Sequence, residues 1–301
     1  MKKRTFLAVF GFLAVSLFAQ NAGDFDIQRN DDGTVAIVNY KGTAKNIVIP
    51  EKILNMPVTR LTAEAFQNKG LTGVVIPKTV TFIGDRAFNR NQLTSLTIPE
   101  NVEYIGNDAF NANRLTSLTL PGNLEYIGNA TFANNQLASV TIPGKVRIID
   151  NNAFLNNKLT SITIPDSVTY VGFSAFQRNS LRNVVIGNGV IHIGYRAFIE
   201  NQITSIRLGS SIRYIGDDAF LNHRVTTIVI PESVVYIGLG AFMPNQNSLT
   251  SITIDKLVMF GWDESGAAFK SNDFDYAYAN NQLKAGKYTF VSGNWTYSPN
   301  L

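Results

Sequence analysis

From Leu71 to Ile254 the chain repeats one short pattern of apolar and polar positions. In Leu93-Thr94-Ser95-Leu96-Thr97-Ile98, Leu96 and Ile98 fall on one side of an extended segment and Ser95 and Thr97 on the other, and Pro99 closes it. That alternation predicts a short, half-buried strand. Val102 and Ile105 then carry the chain back across a core, with Gly106 permitting the bend. Ala109-Phe110 packs a small and a large side chain into the opposite wall. This second arc is expected to hold a brief strand and a helical turn.

The pattern returns every 22 residues. Ile-Gly pairs stand at Ile83, Ile105, Ile127, Ile193, Ile215 and Ile237, with Ile149-Asp150 and Val171-Gly172 in the gaps. Ala-Phe keeps the same step from Ala65-Phe66 to Ala241-Phe242, with Thr131-Phe132 as the single variant. Units therefore begin at Leu71, Leu93, Leu115, Leu137, Leu159, Leu181, Ile203 and Val225. An insertion around Pro244 to Ser248 delays the next start to Leu249, and a longer unit runs from Ile47 through Phe66. A unit this small cannot cover its own apolar side, so neighbours must cover it and the covered sides fuse into one core. The fold predicted is a leucine-rich-repeat solenoid, an arc or horseshoe. It is β-rich with short helical turns, with a parallel sheet on one face.

Asn91, Asn113, Asn135, Asn157, Asn179 and Asn201 fall two residues before the next unit, in register. A buried amide column bonds the backbone of adjacent turns, where a corner otherwise leaves polar groups unpaired. His223 occupies the same slot and reads as a structural residue. With L-x-x-L-x-I-P-x-x-V-x-x-I-G-x-x-A-F so spelled out, residues 24 to 254 resemble the treponemal, or BspA-like, class of bacterial leucine-rich repeats. The resemblance implies cysteine where Asn91, Asn113 and Asn135 stand here, so this chain departs from it at that corner.

The ends read differently. Met1-Lys2-Lys3-Arg4 followed by an uncharged run from Thr5 to Phe18 has the form of a secretory signal over 1–19, cleaved after Ala19 or, as a second candidate, Ala22. Residues 20–46 are expected to form a hairpin cap, with Phe25, Ile27, Val35 and Ile37 alternating across Asn30-Asp31-Asp32-Gly33. The solenoid is assigned to 47–254. Residues 255–301 then become rich in aromatics, among them Phe260, Trp262, Phe269, Phe274, Tyr278, Tyr288 and Trp295, and read as a C-terminal cap. A carbohydrate-binding module built on those aromatics is the competing assignment.

Composition removes several classes of function. The chain has no cysteine, which excludes disulfides, thiolate metal sites and a lipoprotein anchor. Its formal net charge of +4 is no nucleic-acid footprint, because 26 Lys and Arg less Lys2, Lys3 and Arg4 leave 23 against 22 Asp and Glu. Asp31-Asp32-Gly33 continues into no calcium ligand series. His192 and His223 are the only histidines and fall on different parts of the coil. Glu103 and Glu125 stack one turn apart as surface positions, and no nucleophile, zinc or nucleotide motif occurs. The expectation is a non-enzymatic monomer with no cofactor, no metal and no transmembrane anchor.

Two surface columns remain as candidate sites. At the outward strand positions the central units present Ser95, Ser117, Ser139 and Ser161 beside Thr97, Thr119, Thr141 and Thr163. The later units change to Asn183, Ser205, Thr227 and Val185, Arg207, Val229, with Arg182 adjacent. Arg182, Asn183, Val185, Arg207 and Val229 form the first candidate, since arginine among apolar neighbours has the composition of an interface. The second is the column before the Ile-Gly pair, Tyr104, Tyr126, Tyr170, Tyr214 and Tyr236, with Phe82, Ile148 and His192 in the same row. Stacked aromatics stabilise neighbouring coils, and an exposed tyrosine stripe also suits adhesion. The resemblance implies a secreted or cell-surface protein that attaches to host or other extracellular protein. A periplasmic or envelope scaffold is the alternative, and no residue pattern names the partner.

Overall fold

The computed structural model describes residues 21–243, 249–254, 258–263, 266–267, 269, 274–291 and 294–299. The basic and apolar start with its cleavage site at Ala19, and the insertion around Pro244 to Ser248, lie outside the described residues.

Each unit makes one turn of a coil, because its strand bonds to the equivalent strand of the next unit and not to its own chain neighbour. Ser95–Thr97 pairs in parallel with Ser117–Thr119. Asn46–Val48 and Gly73–Val75 form a run before it, Ser161–Ile164, Asn183–Ile186 and Ser205–Arg207 a run after it, and Thr227–Ile230 with Ser251–Ile254 a further one. Alternation sets the faces: Ile162 and Ile164 are buried while Ser161 and Thr163 are exposed. This sheet face is interrupted three times. Gly73–Val75, which pairs with Asn46–Val48, does not ladder with Ser95–Thr97, no strand forms at 139–141, and Ser205–Arg207 does not ladder with Thr227–Ile230.

The single sheet expected from the repeat is joined by a second parallel ladder on the tyrosine column. From Tyr126–Ile127 to Met259–Phe260 it holds seven strands, and an earlier run carries Phe82–Ile83 and Tyr104–Ile105. Two residues suffice for each strand, one burying isoleucine and the other holding an aromatic outward. The helical turn expected near Ala-Phe is a tight turn instead. Non-glycine residues there take positive φ, such as Arg86 at 54°, Arg90 at 55°, Asp108 at 56° and Ala112 at 57°. Their N–H groups bond the following coil, as Arg86 N to the Asn107 carbonyl at 2.8 Å and Arg90 N to that of Asn111 at 2.9 Å. A helix would turn those bonds inward to its own unit and leave the stack unbonded.

Between the arcs lies one continuous core. Every phenylalanine from Phe66 to Phe242 in the Ala-Phe column is fully buried. Neighbouring rings stack face to face, from 4.8 Å between Phe66 and Phe88 to 5.8 Å between Phe110 and Phe132. The widest spacing falls where Thr131 replaces alanine and its hydroxyl donates to the Gly106 carbonyl at 3.2 Å. A bulkier residue in the small-residue row holds those coils apart.

The asparagine column is fully bonded and buried, save that Asn201 is half-buried. Asn179 accepts from Leu159 N at 3.0 Å and donates to the Phe154 and Phe176 carbonyls at 3.0 and 3.1 Å. Asn91, Asn113, Asn135, Asn157 and Asn201 repeat this backward link. His223 holds the same slot but reaches forward. Its Nδ1 accepts from Val225 N at 3.0 Å, so Nε2 carries the proton and bonds the Phe242 carbonyl at 3.0 Å. Burial pushes its pKa down to about 4, against the opposing pull of that carbonyl.

This histidine gives the protein a defined acid response. The folded chain holds it neutral, whereas the unfolded chain protonates it near its ordinary pKa of about 6.5. Stability is therefore complete above about pH 6.5 and declines as pH falls from there toward 4, by about 3 kcal/mol in all. Denaturant melts across that range are expected to give a shallower acid decline for His223→Asn than for the natural chain. Parallel curves would remove His223 as the cause.

Antiparallel hairpins cover opposite ends of the two ladders. Phe25–Arg29 pairs with Val35–Tyr40, which joins Met56–Leu61 in parallel and so closes the tyrosine ladder. Gly286–Val291 pairs with Ser251–Ile254 and then with Asn294–Pro299, closing the sheet face. Although the 22-residue step stops after Ile254, Met259–Phe260 still pairs with Tyr236–Ile237, and Phe269 stacks on Phe242 at 5.4 Å. Phe269, Phe274, Tyr278 and Tyr288 are fully buried, so these four aromatics extend the core and offer no open ring face to a sugar. Among the described residues no helix is long and apolar enough to cross a membrane.

Candidate protein-binding surfaces

The strand register brings most of the first candidate together. Asn183 lies opposite Ser205, and Val185 opposite Arg207. Asn183 and Arg207 are exposed, and Val185 is half-buried. Arg182 precedes the strand, and its carbonyl receives Thr204 N at 2.9 Å. Val229, 58% exposed, stands on the next coil but across the interruption in the sheet.

That interruption is a groove of about 420 Å³ lined by Ile206, Arg207, Leu208, Thr227, Val229 and Pro231, with Asn188 and Ser210 at one end. Two glycines stand in the coils on one side of it. Pro99, Pro121, Pro143, Pro165 and Pro231 close their strands, but Gly187 and Gly209 hold that slot in adjacent units. A side chain on Gly209 would sit 2.1 Å from the Gly187 carbonyl oxygen, so only glycine permits the approach. The backbones of the coils at 181–187 and 203–209 therefore approach closely at this corner. Ile206 and Leu208 are left partly exposed, while their counterparts Val184, Ile186, Ile228 and Ile230 are buried.

The second candidate forms a continuous stripe. Tyr126, Ile148, Tyr170, His192, Tyr214 and Tyr236 pair in register along one ladder, and Phe82 with Tyr104 along the run before it. Tyr104 and Tyr214 are the most open tyrosines, at 40% and 44%. Tyr126 donates its hydroxyl to the Asp150 carboxylate, which, after burial itself, pushes its pKa upward. Phe82 stacks on Tyr104 at 4.8 Å and Tyr170 on His192 at 5.1 Å. Rings stacked along the coil present edges and hydroxyl groups to solvent, not faces.

Phe173 and Tyr195 belong beside this stripe, and the repeat pattern does not single them out. They are 39% and 38% exposed and stack at 5.5 Å, with the Arg196 guanidinium 4.6 Å from the Tyr195 ring. The signal was in their column. Asp85, Asn107, Asn151 and Asp217 accept the backbone N–H one unit on, at 2.8–2.9 Å, and an aromatic cannot do so.

Among the described residues no group of reacting side chains accompanies these surfaces. His192 lies within the tyrosine ladder and His223 in the asparagine column; burial lowers the pKa of both. Glu125 faces Arg147 at 3.8 Å, both well exposed. Among the described residues no three of His, Cys, Asp and Glu gather in a way that could hold a metal ion.

A repeating coil with two parallel ladders, a phenylalanine spine and an amide column defines a leucine-rich-repeat solenoid. Within that class the chain belongs to the BspA type leucine rich repeat family, whose model matches residues 39–159 and 147–272. A leucine-rich repeat protein from Bacteroides ovatus shares the fold at 19% identity, covering 79% of this chain and 70% of that one with a TM-score of 0.53. A leucine rich cell surface protein from Faecalibacterium prausnitzii is 23% identical over 85% of this chain and 98% of its own, with a TM-score of 0.45. The T. pallidum leucine rich repeat protein is 20% identical over 77% and 91%, with a TM-score of 0.43. No curated protein matches the chain.

Proposed function

We propose that this chain is an exported, non-catalytic binding protein whose late sheet face engages another protein outside the cytoplasm. The observation that carries this reading is the change of face after Thr163. Serine and threonine give way to Val185, Arg207 and Val229, and the ladder opens beside Arg207 into a groove with an apolar floor. Uniform hydroxyl columns satisfy strand propensity and little else. Exposed valine with arginine beside a concavity supplies both buried area and a charge-assisted contact. The export reading rests on the basic and apolar start of the sequence.

The test is capture of extracellular proteins by the full chain and two double variants. Arg207→Glu with Val185→Thr is expected to weaken the specific species at least tenfold while leaving the melting temperature unchanged. Thr119→Glu with Thr141→Glu is expected to retain it. Equal capture by all three would move the contact to the tyrosine ladder, and protease accessibility on intact cells reads the location.

A further inference from the structure

The groove beside Arg207 has a chemistry of its own, and the inference drawn from it rests on the reading that this face binds protein. Its volume of about 420 Å³ lies within the roughly 300–1,000 Å³ range of built ligand clefts. Ile206, Leu208, Val229 and Pro231 supply apolar lining, and the two core residues among them are half-exposed only because the coils part there. Water over such a surface is released when an apolar group replaces it.

The charges on the strand columns beside the groove are one-sided. The ion pairs formed among the described residues leave out Arg182 and Arg207. The strand columns from Arg182 to Val229 contain no acid. In the row of Asn188 and Ser210, past the strand corners, the flanking coils carry the carboxylates Asp166 and Glu232. Asp166 is occupied by Asn188 N at 2.6 Å, and Glu232 follows Pro231 into the next bend.

We infer that this groove is a pocket for a large apolar side chain carried on an acidic segment of the partner. The apolar residue fills the gap between the strands at 205–207 and 227–230. Flanking carboxylates meet the guanidinium groups of Arg207 and Arg182, whose planar donors pair with carboxylate oxygens two at a time. A basic segment would meet like charge at both arginines and be rejected.

The test uses the full chain with isoleucine, leucine and valine methyl groups labelled for NMR, titrated with three defined peptides. Acetyl-Asp-Asp-Phe-Asp-Asp-amide is expected to shift the methyl signals of Ile206, Leu208 and Val229 saturably. The peptide with serine for phenylalanine, and the one with lysine for aspartate, are expected to bind at least tenfold more weakly. Arg207→Glu, an exposed position, is expected to reverse the preference between the acidic and basic phenylalanine peptides. Leu208→Gln is expected to weaken the acidic phenylalanine peptide alone. Equal response to acidic and basic peptides, or silence at Ile206 and Leu208, overturns the pocket. If those methyls stay silent while capture of the natural partner still depends on Arg207, the pocket falls and the binding face stands. If capture is indifferent to Arg207 as well, both fall.

Discussion

Phe110→Ala is expected to cost about 3–5 kcal/mol, while Thr97→Ala stays within about 0.5 kcal/mol. The ring of Phe110 is fully buried and lies between Phe88 at 5.3 Å and Phe132 at 5.8 Å. Its removal strips stacking partners from two coils and leaves a void that the hydrogen-bonded backbone cannot close. Phe110 N donates to the Thr131 carbonyl at 3.0 Å, and its own carbonyl receives Asn113 and Asn135. These bonds fix the walls of the cavity. Thr97, by contrast, points outward from its strand and is exposed. Because repeat arrays couple neighbour to neighbour, the loss reads as a lower denaturant midpoint or as an earlier transition of the coils around Phe110. Comparable losses for the two variants would place Phe110 outside the core. Phe132→Ala added to Phe110→Ala is expected to cost less than the sum, since the two rings share one contact.

Much of the fold was legible because the repeat constrains it many times over. A period of 22 residues puts every phenylalanine of the Ala-Phe row above another, and no arrangement but a coil buries them all. The asparagine column followed from the same arithmetic, since a polar row in register beside apolar rows has to bond along the stack. The tight turns were not legible as such. Arg86, Arg90 and Ala112 have no special tolerance of positive φ, and it is the bonds to the next coil that hold them there. The direction of the His223 link was equally hidden, because an imidazole and an amide fill one slot with donors at different reach.

The candidate surfaces were legible as composition and not as shape. Val185, Arg207 and Val229 stood out against four units of serine and threonine, yet the pattern places all three on adjacent strands of one sheet. The opening between Arg207 and Val229 is a break in the ladder that no residue of these columns marks, and Gly187 and Gly209 stand beside it in a different column on the corner. In the sequence the two glycines show only as missing prolines, and the break with its half-exposed Ile206 and Leu208 appears only in the packing.

Deleting one complete unit, Leu115 to Gln136, is expected to leave a shorter protein that folds cooperatively, whereas deleting half of it, Leu115 to Glu125, is expected to abolish folding of the array across that point. In the first variant Arg114 runs into Leu137, the start of an equivalent unit. Asn157 keeps its bond from Leu137 N and meets the Phe110 carbonyl in place of that of Phe132. Phe154 takes the place of Phe132 above Phe110, and Thr131, which stands at the widest ring spacing, is gone. One unit and one interface are lost from a sum of like terms. In the second variant Arg114 runs into Tyr126-Ile127 with no strand between them. The coil cannot complete its circuit, so each bond that spans one unit there loses its partner, beginning with Leu115 N to Asn135 and Gln136 N to the Leu115 carbonyl. Buried backbone groups without partners each cost about 1–3 kcal/mol, and several at once exceed the stability of an ordinary domain. Circular dichroism with urea melts, and elution volume on size exclusion, separate the outcomes. Equal unfolding of both variants would mean that the unit boundaries at Leu115 and Leu137 are misplaced. Equal folding would mean that coil closure is not what joins the two ladders.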